Sequence, residues 1–171
     1  MELRFGKYAL RPFRKGDEPS LAENISDKKI ARYTLHIAYP YTAENAALWV
    51  DYNRMLARKK DKKQLHLALD LDGLVIGGLG LANINGHRAE LCYWLGVKYW
   101  GGGIMTAAVR SLTKYALEEL ALRRVYAQVV PANKASSRVL EKAGYKYEGR
   151  LRKHEMKLGK PVDLLLYAKV R

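Results

Sequence analysis

Cysteine is almost missing. One thiol, Cys92, occurs in 171 residues, which excludes a disulfide framework or a cysteine-built metal cluster and fits a reducing compartment. Acidic residues are also scarce, 17 against 31 Lys and Arg, so the formal net charge is +14. No apolar run reaches the ~18 residues that a membrane span requires. The longest uncharged stretch, Gly73 to Asn85 and a little beyond, is broken by glycines. The first residues, MELRFGKYALRPF, are charged from the second position and lack the apolar centre of a signal peptide. A soluble cytoplasmic protein with no membrane contact is expected.

What remains is ordinary globular composition, 49% apolar and 28% charged. No repeat or linker divides the chain, so residues 1–171 are expected to form one domain. The positive charge favours anionic partners: nucleic acid, the ribosome, or a phosphate-rich cofactor. The lysines are scattered, however, and only RKKDKK (Arg58 to Lys63) forms a tract. Aromatics alternating with basic residues, as a base-stacking platform requires, are not found. Nucleic-acid contact is therefore open but not favoured. Oligomeric state is open between monomer and homodimer.

Periodicity gives the order β-α-α-β-β-β-α-β-α-β-β. Tyr8 to Phe13 reads as a first strand, and Asp17 begins a short helix with Pro19 in its first turn. Thr42 is placed to cap a helix over AENAALWVDYNRMLARKK, with Ala47, Leu48, Val50, Met55 and Leu56 as its apolar face. Asp72-Gly73 and Asn85-Gly86 are hairpin signals joining three antiparallel strands, the last running from Arg88 to Val97. A helix from Ile104 to Leu120 and a strand from Arg123 to Val130 follow. Asn133 caps a helix ending at Gly144, and two strands hinge at Leu158 to Lys160. The class is α+β: three layers, with a mixed, mostly antiparallel sheet of about seven strands. The central strand–helix–strand unit implies one parallel pair.

The stretch VKYWGGGIMTAAV places three glycines where a rigid helix must begin. Glycine costs backbone entropy there. The first amides of a helix lack intrahelical acceptors and carry partial positive charge, and glycines let an anion approach them. The spacing is not a P-loop, because no Gly-Lys-Ser/Thr follows, and not a dinucleotide fingerprint. A tight turn without a ligand explains the glycines equally well.

Lys98 to Gly103 resembles the Arg/Gln-x-x-Gly-x-Gly/Ala signature of the GNAT superfamily of acyl-CoA N-acyltransferases. YWGGGIMTAAV is similar to the pattern of its RimJ/RimL-like subgroup, which acetylates protein N-termini and small amines. NKASSRVLEKAGYKYEGRLRK, LRPFRKGD near the start and KPVDLLLYAKV near the end match that subgroup in order, so the resemblance spans nearly the whole chain. Three departures stand out: Lys98 replaces Arg or Gln, Ala107 replaces a frequent Glu, and Leu140 stands where many members place an acid tyrosine.

The resemblance implies acetyl-CoA as co-substrate, no metal, and direct attack in a ternary complex without an acyl-enzyme. It places the diphosphate on the amides of Gly101, Gly102, Gly103, Ile104, Met105 and Thr106, with the Thr106 hydroxyl as a side-chain contact. It implies that Leu95, Gly96 and Val97 pair with the pantetheine arm, the Val97 amide polarising the thioester. Lys98, Asn133 and Arg138 complete the cofactor set, with Lys142 better read as a solvated cation. Ser136 is the implied proton donor to the leaving thiolate. Ser137 points about 100° away around the helix, and Tyr145 is a reserve.

Glu90 opens the strand leading to this site and is the candidate base, although a rim charge near the Asn85-Gly86 turn is the commoner role for a carboxylate so placed. His36 lies in YTLHIAYPYT, the segment that shapes the acceptor pocket in this family. His66 reads as structural, and His87 and His154 carry no assignment. Cys92 has no neighbouring histidine or cation to activate it. The expected acceptor is a primary amine, foremost a protein N-terminus such as that of a ribosomal protein. Alternatives are a diamine, amino acid or aminoglycoside, or a silent acyl-CoA- or RNA-associated module. The +14 charge disfavours cationic small acceptors.

Overall fold

The computed structural model describes residues 1–59 and 63–171. Lys60, Asp61 and Lys62, half of the basic tract, lie outside the described residues. Eight strands form one sheet: β1 (Leu3–Phe5), β2 (Tyr8–Arg11), β3 (Leu65–Leu71), β4 (Leu74–Asn85), β5 (Arg88–Leu95), β6 (Arg124–Val129), β7 (Lys146–Lys157) and β8 (Lys160–Val170). Their spatial order is β1-β2-β3-β4-β5-β6-β8-β7, and every neighbouring pair is antiparallel except β5 and β6. The eighth strand is β1, three residues too short to carry an alternation pattern.

Among the described residues five α-helices cover the sheet: α1 (Glu18–Ile25), α2 (Lys28–Tyr33), α3 (Ala43–Ala57), α4 (Ile104–Glu118) and α5 (Lys134–Lys142). Helix α2 was not expected from periodicity, since six residues give less than two turns. It forms because Asp27 accepts the Lys29 amide at its start and Ile30 is buried. One core lies under α4 and α5, where Met105, Ala108, Val109, Leu112 and Ala116 keep a helical stripe against Leu79, Leu91 and Val125. The other lies under α1 to α3, around Leu21, Ile30, Val50 and Val75. Each fully buried Leu contributes about 2 kcal/mol of transfer free energy.

Thr42 and Asn45 form a capping box at α3. The buried face of that helix is Ala46, Val50 and Asn53. Ala47, Leu48 and Met55, expected inside, are exposed. The correction is a rotation of roughly one residue, because Trp49 rather than Leu48 turns toward Phe13 and His66. Asp17 precedes α1 but does not cap it by its side chain. Its carboxylate is taken by the Arg11 guanidinium at 2.8 Å and the Arg14 amide at 2.9 Å. Arg11 also reaches Asp70 at 2.8 Å, so this buried cation is paired twice.

Candidate active site

Only three register pairs join β5 to β6: Arg88 with Arg124, Ala89 with Val125, and Glu90 with Tyr126. Both strands continue beyond that point, β5 to Leu95 and β6 to Val129. Their outer edges stay paired, to β4 and β8 respectively. The parallel pair therefore parts after Glu90 and opens a wedge through the sheet. Helix α4 starts just beyond the end of β5, and α5 just beyond the end of β6. Two helix N-termini thus follow the open end of the wedge, that of α5 capped by the Asn133 side chain and that of α4 without a side-chain cap, and a helix start offers an anion a favourable dipole.

The glycine triplet gives α4 its bare start. Gly103 is the N-cap residue at φ 73°, and Gly101 sits at φ 85°, both in the left-handed region that disfavours a side chain. A Cβ at either position would meet nothing within 4 Å, so open space adjoins the loop. No side chain caps the helix. Among the described residues, the amides of Gly101, Gly102 and Gly103 donate to no acceptor. This arrangement fits a diphosphate, which supplies the acceptors that the fold withholds.

The residues leading into the loop depart from expectation. Strand β5 stops at Leu95, not Val97, because the chain makes one last bond to β4, from the Gly96 amide to the Ile76 carbonyl at 2.9 Å, and then winds into a 3-10 turn over Val97–Tyr99. The Trp100 indole donates to the Leu95 carbonyl at 2.7 Å and braces the turn. The Val97 amide has no acceptor among the described residues. Lys98 reaches away to Glu23 on α1, 2.9 Å, in an exposed pair. Ile104 packs against the core and Met105 is buried, while Thr106 is half-buried.

At the start of α5, the Asn133 side-chain oxygen (Oδ1) accepts the Ser136 amide at 3.1 Å, and its side-chain nitrogen donates to the Tyr33 carbonyl at 3.3 Å. Both polar ends of Asn133 are thus engaged. The Ser136 hydroxyl lies 2.7 Å from the Tyr93 hydroxyl. Tyr93 was missed in the sequence. The signal was present in the alternation of Leu91, Tyr93 and Leu95, which sends all three to the α4–α5 side. Burial raises the Tyr93 pKa well above the ordinary tyrosine value, so the phenol stays protonated, and either hydroxyl of the pair can donate to the other. Ser137 is buried with an unpartnered hydroxyl. Arg138 is exposed.

Tyr145 does not reach this site. It is 3% exposed, and its hydroxyl is 2.7 Å from that of Thr113 on α4. Tyr145→Phe should leave turnover within about twofold. It should cost about 1 kcal/mol of stability, for the orphaned Thr113 hydroxyl, and lower the melting temperature by about 2–4 °C. Calorimetry and steady-state rates on one preparation check both halves.

Glu90 projects to the opposite face, at the vertex of the wedge, and accepts a 2.8 Å hydrogen bond from Asn83. Beside it on this face run Cys92 and Trp94, with Gly80 paired to Cys92 and Gly78 to Trp94. The Trp94 indole lies over Gly78, where a Cβ would approach its nitrogen to 2.6 Å. His66 covers Gly80 in the same way. Its Nδ1 is 2.9 Å from the Asn53 carbonyl oxygen, its ring stacks on Trp49 at 4.9 Å, and burial lowers its pKa to about 4. His66 is a neutral structural histidine, as its sequence context indicated. Cys92 is exposed on this face, with its sulfur 3.2 Å from where a Cβ on Gly80 would lie.

His36 lines a separate open groove of about 300 Å³ with Ala38, Tyr41, Asn45, Leu48, Trp49 and Tyr52. His87 contributes its carbonyl to the Arg123 and Arg124 amides, and His154 is exposed on β7. Among the described residues no cluster of His, Cys, Asp or Glu is arranged to hold a metal, and no helix is long and apolar enough to cross a membrane.

A family model for the acetyltransferase (GNAT) domain matches residues 7–146. "Putative ribosomal N-acetyltransferase YdaF" of Bacillus subtilis (strain 168) is 30% identical over 161 residues, covering 88% of this chain and 86% of that protein. RimJ of Mycobacterium smegmatis, solved with CoA-disulfide, superposes with a TM-score of 0.86 at 25% identity, covering 99% of this chain and 86% of that one. The microcin self immunity acetyltransferase MccE, solved with acetyl-CoA and AMP, shares the fold at a TM-score of 0.86 and 23% identity, over 98% and 94% of the two chains.

Proposed function

The chain belongs to the GNAT acetyltransferase family, and from that premise we propose that it acetylates the N-terminal amine of a protein or peptide by direct attack in a ternary complex. The broader activity is that of an acetyl-CoA-dependent N-acetyltransferase. The observation that carries the reading is the wedge between β5 and β6, with the uncapped start of α4 beyond it.

Bound acetyl-CoA supplies the activated acetyl group and a thiolate leaving group. The chain's own residues do the rest. Amides 101–106 hold the diphosphate, and the free edges of β5 and β6 flank the pantetheine arm. The Val97 amide donates to the thioester oxygen as charge develops there. On the far face, Glu90 takes a proton from the incoming ammonium, directly or through one water. The amine nitrogen then bonds to the acetyl carbon as the carbon–sulfur bond breaks. Ser136 gives its hydroxyl proton to the departing sulfur as the amide nitrogen releases its second proton to solvent, and Ser136 is reprotonated from solvent through Tyr93, 2.7 Å away, which ends the cycle protonated.

Two observations favour a peptide acceptor over a polycationic small molecule. The groove beside the 33–41 segment has no carboxylate among its lining residues, and the chain carries +14. A polyamine or aminoglycoside needs anionic partners for the ammoniums that do not react. The ribosomal name of the B. subtilis relative points the same way. The test supplies acetyl-CoA with a panel of short peptides, polyamines and aminoglycosides and detects acetylated product by mass spectrometry. Acetylation of peptide N-termini is expected, whereas product on the polycations alone overturns the peptide reading. Glu90→Gln should lower kcat/KM at neutral pH by about tenfold or more and change the shape of its pH–rate profile. A profile identical to that of the parent would take Glu90 out of the base role.

A further inference from the structure

The last turn of α2 exposes carbonyls that no intrahelical donor reaches. In this protein they are claimed from the other half of the chain. The Lys157 ammonium, at the end of β7, donates to the Ala31 carbonyl at 3.0 Å and the Thr34 carbonyl at 2.7 Å, and also to that of Arg32. The carbonyl between them in sequence, Tyr33, takes the Asn133 side chain from the start of α5. Four successive carbonyls, 31 to 34, are thereby held by two residues from beyond the wedge.

The connection matters because of what lies on either side. Helix α2 packs in the core under α1 to α3, on the side of the sheet where Glu90 faces. β7 and α5 belong to the half built on β6 and β8. Between the halves, past Glu90, the sheet has no ladder hydrogen bonds. The α2 end is therefore a strut across the gap. It leads directly into residues 35–41, whose far end is tied where the Tyr41 amide donates to Ser26 Oγ at 3.0 Å. At the other end of the relay, Asn133 caps the helix by accepting the Ser136 amide.

A lysine near a helix C-terminus is favourable for both hydrogen bonding and the dipole. This one is half-buried, and desolvation lowers its pKa, so the ammonium is held at a cost in hydration. A surface solubility charge would not be placed so. The arrangement differs from a simple cap in having three acceptors converge on one nitrogen, all on a segment beside the acceptor groove.

We propose that Lys157 is a positioning residue for acceptor binding: its ammonium locks the end of α2 across the wedge, fixing the 35–41 segment and, through Tyr33 and Asn133, the start of the helix that carries Ser136. This rests on the acetyltransferase reading above. Lys157 touches neither reactant and acts by geometry alone.

The test uses Lys157→Met, which keeps the stem and removes the donors. Amide hydrogen exchange across residues 31–41 should accelerate at least tenfold, with the exchange of α4 unchanged. Acceptor KM should rise about tenfold while the CoA dissociation constant stays within twofold, because amides 101–106 are untouched. A second variant, Lys157→Cys in a Cys92→Ser background, is then aminoethylated to restore an ammonium of nearly the original reach. Recovery of both the exchange pattern and the acceptor KM is expected. Unchanged exchange at 31–41 in Lys157→Met, or no recovery on aminoethylation of a folded protein, overturns the proposal. The exchange readout needs no turnover. A parent protein that acetylated no acceptor would therefore sink the functional reading while leaving the clamp to be judged on exchange.

Discussion

Gly103→Trp should abolish cofactor binding, with CoA affinity reduced at least a hundredfold in isothermal titration. Two effects combine. Gly103 stands at φ 73° with open space around it, so an indole there has room to lie across the donors of the α4 start. The same φ makes any side chain strained, at about 1–2 kcal/mol. For a chain of this size that strain lowers the melting temperature by about 2–8 °C, far too little to unfold it. The two contributions separate experimentally. Gly103→Ala carries the backbone strain without the bulk, and should keep most of the stability loss but much less of the affinity loss. If Gly103→Trp bound CoA normally while showing the expected melting shift, the diphosphate would not sit on these amides, and the assignment of the site would fail with it.

Ser136→Ala should lower kcat by about a hundredfold, the lower part of the range for losing a positioned proton donor, and leave the CoA dissociation constant within about twofold. Helix α5 tolerates alanine well, and its cap is the Asn133 side-chain oxygen acting on the Ser136 amide, which the substitution retains. What disappears is the hydroxyl between Tyr93 and the wedge. Tyr93→Phe removes the outer member of the pair and should cost less, about tenfold, since Ser136 can still donate but recovers its proton from water. Stopped-flow measurement of thiol release with a saturating acceptor separates this chemical step from product release. Equal rates for Ser136→Ala and the parent protein would transfer the role elsewhere. The neighbouring Ser137, with its buried unpartnered hydroxyl, would then be the next residue to change.

Much of this was legible along the chain. The turn at Asp72-Gly73 has both residues at positive φ in the structure, which is what its sequence demands. Thr42 and Asn133 cap the helices they precede. The parallel pair followed from the strand–helix–strand order, because α4 carries the chain back to run β6 alongside β5. Local chemistry decides such features: a φ that only some residues accept, an orphan amide within reach of a side-chain oxygen. The errors came where local signals compete with packing. Leu48 and Met55 are apolar and helical, yet they lie outside because α3 turns Trp49 toward His66 and Phe13. Tyr145, the reserve proton donor, instead closes a hydrogen bond to Thr113 inside the core.

The sequence by itself determined every element but β1 and α2, the caps at Thr42 and Asn133, the order that makes one pair of strands parallel, and the bare helix start at 101 to 106, since each depends on residues within a few positions of one another. Only the tertiary structure decided that β5 and β6 part after Glu90, that Tyr93 meets Ser136 across 43 positions, and that Lys157 reaches carbonyls more than 120 positions away. Those contacts depend on where the packed layers bring distant segments, and no local propensity encodes such a distance.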